Sequence, residues 1–384
     1  MAISSSHLKV PPTKTEYQGL KISRFFNNAT RPIRTVAKTA VFFLKVFPML
    51  PSKPVDWVTK PPVVQKVSYP SRSGQVEAEL YRPSTDGPHP GILVCLGVVP
   101  FGVDHPQVPV LGKALARAGF AALLYWSPAM RDFRLDPEDL ENIPLAYNWL
   151  INQPYVDPAR SGLLGTCVGG SFALMAAANP LIREHVAFLS AYAPFSSMNT
   201  FARDIAGAST ILENERKPWE VDQLTRKVFV HSVTAMLEPD EAEQLRNITM
   251  DENEQFNANN LSKEGRAIYA LLTAKNVVDA EKALQGLPQL MQERLTALSP
   301  ITYLQNIRAP LIVLLHDRGD QVIPVGESQR LLAALNGHIG VHYTEMQFSH
   351  LDPVKGKLPF FRLLREFGKF FLAVYPLFQQ TVPA

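Results

Sequence analysis

The sequence predicts an α/β protein with a mostly parallel, doubly wound sheet, a helical lid insertion and an N-terminal basic and apolar extension. Two observations predict the sheet. Unbroken apolar runs at 90–97, 120–126, 163–165 and 310–316 read as strands buried on both faces. Helical stretches alternate with them, as the crossovers of a parallel sheet require. A third observation, the loss of that alternation over 196–299, marks the insertion. The expected organisation is therefore an extension (1–60), a first core part (61–195), the insertion (196–299) and a second core part (300–384).

The bounds on function come from composition. The 384 residues are 46% hydrophobic and 19% charged, an ordinary globular balance. The net charge of +3 is unevenly spread, because residues 1–60 hold ten Lys and Arg against Glu16 and Asp56, leaving the rest of the chain acidic. A basic leader on an acidic body is not a nucleic-acid-binding profile, so no nucleic acid is expected as partner. Two cysteines, Cys95 and Cys167, make neither a disulfide framework nor a four-thiolate metal site. They suit a reducing compartment, and the expected location is cytoplasmic, with a peripheral membrane contact as an option.

In the extension, 1–32 lacks apolar periodicity. Pro32 can start a helix at Ile33, and the apolar stretch 39–47 ends at Pro48, too short and too charged to span a bilayer. Four readings stand for 33–50: an interfacial helix touching a membrane surface or lipid, an arm against a partner subunit such as a homodimer mate, a transit peptide, or a helix on the protein's own core. Prolines 51, 54, 61 and 62 mark the linker into the body.

In the body, strands at 63–69 and 75–81 flank the turn Ser71-Arg72-Ser73-Gly74, a hairpin signal. The strand at 90–97 is followed by a helix over 107–118 ended by Gly119, then the strand at 120–126. Asp136 is the expected N-cap of a helix running to Trp149. Asp157 to Arg160 lead into the strand at 163–165, and a short strand follows at 186–192. The insertion holds helical stretches at 220–236, 239–246, 262–276 and 279–284. After 310–316 come a helix over 326–335, a strand at 341–346 and a last helix over 358–375.

The chemistry centres on Gly165-Thr166-Cys167-Val168-Gly169-Gly170. An apolar strand ends at Gly165, and an alanine-rich helix begins directly after Cys167. This is the strand–turn–helix context of a nucleophile elbow, in which small flanking residues let strand and helix approach closely. A thiol nucleophile needs a base, and the base an orienting acid. In the chain order nucleophile, acid, histidine, Asp320 and His350 each fall in a loop just past a strand. Asp317 is the second choice of acid and Asp352 a weaker one. His316 precedes the acid loop and reads as structural, whereas His105, after the 90–97 strand, is a candidate pocket residue. The backbone N–H groups of Val168 and Val98 are the expected oxyanion hole, and the histidine and helix N-terminus are expected to lower the thiol's pKa. Trp219 and Phe229 of the lid are candidates for an apolar acyl pocket or for the lid's own core.

With these residues placed, the chain resembles the α/β-hydrolase superfamily across 63–375. Its elbow resembles that of the dienelactone hydrolases, which use a Cys–Asp–His triad, and the segments 309–324 and 348–353 resemble their acid and histidine loops. The resemblance implies hydrolysis of a small-molecule ester or lactone through a thioester intermediate, with no metal and no organic cofactor. The loop after the third strand offers Asp104 where that family has a Glu. The elbow is also similar to that of the polyhydroxyalkanoate synthases, which implies acyl transfer by the same triad as the alternative. A non-catalytic binding or membrane-associated module on this fold is the third reading, and a Cys95–Cys167 disulfide would favour it.

Overall fold

The computed structural model describes residues 14–47, 50–99, 105–212, 215–250, 258–347 and 360–383, with 14–28, 249–250 and 360 described by their backbone alone. Eight strands form the central sheet: β1 (Val63–Ser71), β2 (Gly74–Arg82), β3 (His89–Cys95), β4 (Ala121–Tyr125), β5 (Val156–Thr166), β6 (Phe188–Tyr192), and, after a small hairpin of β7 (Ser209–Leu212) and β8 (Glu215–Pro218), β9 (Ile312–Asp317) and β10 (Val341–Met346). Their order is β1-β2-β4-β3-β5-β6-β9-β10. β1 and β2 pair antiparallel, as do β2 and β4, while every pair from β4 to β10 is parallel. This mostly parallel eight-stranded sheet, with its antiparallel start and flanking helices, is the α/β-hydrolase fold.

Alternation along the central strands feeds two cores. In β3, Leu93 and Cys95 pack on one face of the sheet and Ile92 and Val94 on the other, the period of two expected of an extended chain. The first face is covered by the helices Asp139–Ile151 and Val168–Ala176 and by the helical insertion. The second lies beneath the helices Gln107–Ala118, Lys14–Val46 and Phe360–Gln379. Gly119 ends Gln107–Ala118 at φ +112°, a left-handed cap that glycine adopts without penalty.

Three local expectations are corrected. The N-terminal helix does not start at Ile33; it runs from Lys14 through Pro32 to Val46. A mid-helix proline costs a bond but does not forbid the helix, and tertiary docking holds the rest. Asp136 does not cap the next helix, which begins at Asp139; Asp136 instead accepts the Glu138 N–H (3.0 Å) in the preceding turn and pairs with Arg134 at 2.9 Å. The hairpin β7–β8 and the helices Met198–Ala206 and Gln289–Ala297 were not expected within the insertion.

Of the readings for 33–50, the contacts describe packing on the protein's own core. Phe42, Phe43 and Phe47 are buried. Phe43 meets Phe370 and Phe371 at centroid distances of 5.1 and 5.3 Å, Phe42 meets Phe378 at 5.1 Å, and Phe47 meets Phe367 at 4.9 Å. Among the described residues no helix is long and apolar enough to cross a membrane. Phe43→Ala is expected to lower the free energy of unfolding by about 3–5 kcal/mol, measured by urea denaturation followed by circular dichroism. A loss below about 1 kcal/mol would show that this ring anchors nothing.

Candidate active site

The elbow is built by the absence of side chains. A Cβ on Gly165 would overlap the Gly169 carbonyl, and one on Gly169 would overlap the Cys95 carbonyl. On Gly97 it would lie 2.9 Å from the Thr166 oxygen and 3.1 Å from the Cys167 Cβ. The ends of β3 and β5 and the start of Val168–Ala176 therefore touch backbone to backbone. Cys167 sits at the crest with φ 54° and ψ −135°, a conformation that costs a non-glycine residue on the order of 1–3 kcal/mol. It is held there by its own N–H donating to the Tyr192 carbonyl (2.8 Å) and by the Gly170 N–H donating to its carbonyl (2.9 Å).

The sulfur faces a small apolar cavity of about 30 Å³, close to the share of one water molecule in the liquid. Val98 and Val168 line it beside Cys167, so the two residues expected to supply the oxyanion hole flank the same space. The insertion roofs it with Met198, Phe201, Leu224, Val228 and Phe229. Phe229 therefore lines the space over the sulfur. Trp219 does not; it stacks on Phe201 at 6.1 Å. Leu224 and Val228 share one face of the helix Gln223–Thr234 by their i, i+4 spacing, a signal present in the sequence but not singled out there.

Asp320 lies in the loop after β9, its side chain fully buried. Its Oδ1 accepts the N–H groups of Val322 (2.8 Å) and Ile323 (3.0 Å), while Oδ2 is 3.8 Å from His316 Nε2. His316 is fully buried on β9. Its Nε2 donates to the Ile323 carbonyl at 2.8 Å, which leaves Nδ1, 2.6 Å from the Ser328 hydroxyl, as the acceptor in the neutral ring. The imidazole thus pins the acid loop to β9. The insertion grips the same loop from above, through Trp219 Nε1 to the Gln321 carbonyl (3.2 Å) and Thr225 Oγ1 to the Val322 carbonyl (2.9 Å). Val322 and Ile323 reach the cavity, which joins the acid loop to the space over Cys167.

The other expectations fall as follows. His350, Asp352 and Asp104 lie outside the described residues. Asp317 is buried at the end of β9, its Oδ1 accepting the Gly319 N–H at 2.8 Å. His105 does not line the cavity over Cys167; it stands on the wall of a larger one on the opposite face of the sheet. Both cysteines are free thiols, so no Cys95–Cys167 disulfide forms. Among the described residues no three His, Cys, Asp or Glu side chains group as a metal site.

The thiol's electrostatics run opposite to expectation. Burial, then the charges of Asp320 and Asp222, push the Cys167 thiol up to about 12, against a hydrogen bond from the Val168 N–H that favours the thiolate. Asp222, which caps Gln223–Thr234, was not singled out in the sequence; its charge acts on the thiol from the start of the helix whose Leu224 and Val228 line the cavity.

No protein-family model matches the chain. Over 159 residues it is 31% identical to acyl-coenzyme A thioesterase 1 of Mus musculus, covering 41% of this chain and 36% of that protein. It is 34% identical over 116 residues to acyl-coenzyme A thioesterase 1 of Homo sapiens, covering 30% and 26%. The matched segments thus span about a third or less of the length of these two relatives. Among solved structures it is similar to the alpha/beta hydrolase GrgF from Penicillium sp. sh18, with a TM-score of 0.46, 18% identity and coverage of 80% and 98% of the two chains. It is also similar to Pyrococcus horikoshii acylaminoacyl peptidase, with a TM-score of 0.48, 15% identity and coverage of 83% and 41%.

Two outcomes follow from this geometry. Gly169→Ala drives a methyl into the Cys95 carbonyl and is expected to cost about 1–3 kcal/mol of stability, read from a urea melt; an unchanged midpoint would deny the close approach. A resting thiol titrating at about 12 is protonated at neutral pH. Iodoacetamide should therefore alkylate Cys167 about tenfold faster per pH unit from pH 7 to 10. A rate already level above pH 6, followed by mass spectrometry, would mean a stabilised thiolate.

Proposed function

We propose that the protein is an acyl hydrolase that cleaves a carboxylic ester, lactone or thioester with Cys167 as nucleophile. The single observation that carries this reading is Cys167 itself, a thiol held at φ 54° on the crest of a strand–turn–helix. The dienelactone hydrolase-like cysteine elbow supports an ester or lactone. The similarity to acyl-coenzyme A thioesterases supports a thioester as an equal substrate class.

In the proposed cycle, His350 takes the Cys167 proton as sulfur attacks the acyl carbonyl, and Asp320 stabilises the imidazolium. Negative charge collecting on the carbonyl oxygen is met by the N–H groups of Val168 and Val98. Collapse expels the alcohol or thiol, which takes the proton back from His350, and leaves a thioester on Cys167. Water, deprotonated by His350, then releases the acid and restores the thiol. The high resting pKa of the thiol fits a nucleophile that loses its proton to a neighbouring base only as it attacks.

A cavity of about 30 Å³ cannot hold an acyl carbonyl with its chain. The helical insertion acts as a lid that lifts for substrate, and its bonds from Trp219 and Thr225 to the acid loop are the clasp. Its closure excludes water from the thioester until the leaving group has gone.

The test is turnover of p-nitrophenyl acetate and butyrate and of an acyl-coenzyme A series, followed by product chromatography. Cys167→Ala and His350→Ala are each expected to lose at least ~10³-fold in kcat, and the double variant little more, because the two act as a unit. Asp320→Asn is expected to lose roughly 10²–10⁴-fold. Activity surviving Cys167→Ala would reject the nucleophile. Turnover that rises with an added alcohol acceptor would identify an acyltransferase working through the same triad.

A further inference from the structure

On the face of the sheet opposite the elbow helix lies a cavity of about 550 Å³, floored in part by Ile92, Leu164 and Tyr192 and roofed by Phe42 of the N-terminal helix, Phe47 just past its end, and Val374 of the C-terminal helix. We propose that it is a binding site for one unbranched aliphatic chain with a neutral, hydrogen-bonding head, such as a fatty alcohol or the acyl group of a neutral lipid. The site is separate from the reaction at Cys167 and does not depend on it.

Size is the first argument. Folded interiors leave few voids larger than a water molecule, and this one falls within the ~300–1,000 Å³ of small-molecule sites. Shape is the second. Ile92 stands level with Gly162 in the β3–β5 register, and Thr166, also on the wall, is four residues farther along β5. At ~3.3 Å per residue the cavity runs about 13 Å along the strands, a slot between sheet and helices suited to a chain.

Polarity is the third argument, and it sets the ligand's direction. The walls are apolar except for Ser190, level with Leu164 midway along, and for the end next to the elbow, where Thr166 and Tyr192 pair and His105 and Gln107 also line the wall. Tyr192 is 7% exposed, and its hydroxyl is buried with no hydrogen-bond partner among the described residues. A buried phenol left without a partner is costly, and native structures rarely leave one so. A ligand head at this end supplies the missing bond. The head is neutral because burial first, and then the nearby carboxylates of Asp317 and Asp320, hold the Tyr192 phenol protonated. They would repel an anionic head.

The experiment is calorimetric titration of the full chain with the 1-alkanols from hexanol to dodecanol. Expected is saturable one-to-one binding that tightens about fourfold per methylene and levels off once the chain outgrows the slot. Tyr192→Phe should weaken decanol binding about tenfold and leave the methylene increment unchanged. Val110→Trp, at a half-buried wall position, and Val374→Trp, in the roof, should each abolish binding, with folding checked by circular dichroism. Absence of saturable binding by the unmodified chain would overturn the proposal, as would affinity indifferent to chain length. So would decanol binding at unmodified strength in a folded tryptophan variant.

Discussion

Three backbones meet without side chains between them where β3 and β5 end and the helix Val168–Ala176 begins, and the candidate site depends on that contact. Gly97, Gly165 and Gly169 each stand where a methyl would strike a neighbouring carbonyl. Because the chains approach so closely, the turn between them has room for one residue only in a strained conformation. The two backbone bonds that bracket Cys167 offset the strain. A thiol in an ordinary loop would be free to turn away; here Cys167 shares a cavity with Val98, Val168 and the roof of the insertion.

The two faces of the sheet do different work. On one, the insertion is fastened to the acid loop by Trp219 and Thr225, and that loop is fastened to β9 by His316. The charge of Asp320 and the apolar roof over Cys167 are thus joined through one loop, so that burial and a carboxylate act together on the thiol. On the other face, two phenylalanine-rich helices far apart in sequence close over the strands and leave an open slot between them and the sheet.

Much of this was legible in the sequence. The parallel strands announced themselves as apolar runs because both their faces are buried, and Gly119 and the turn before Gly74 marked ends that only particular backbone angles permit. The elbow was legible because glycine spacing encodes close approach directly. Other features were not. The helix through Pro32 is fixed by aromatic packing against residues more than 300 positions away, which local pattern does not register. The hairpin β7–β8 includes the polar strand Glu215–Pro218, mostly exposed and without alternation. The raised thiol pKa required knowing that tertiary packing buries the elbow and brings the charges of Asp320 and Asp222 to bear on it, a fact with no local signature.

The pairing of the first and last helices also bears on biosynthesis. Phe43 meets Phe370 and Phe371, and a ribosome adding ~5–20 residues per second takes tens of seconds to make the intervening chain. Throughout that time the aromatic edge of the first helix lacks the rings of Phe360–Gln379 that pack on it. The two helices are thus partners that cannot meet until the whole sheet between them has been synthesised.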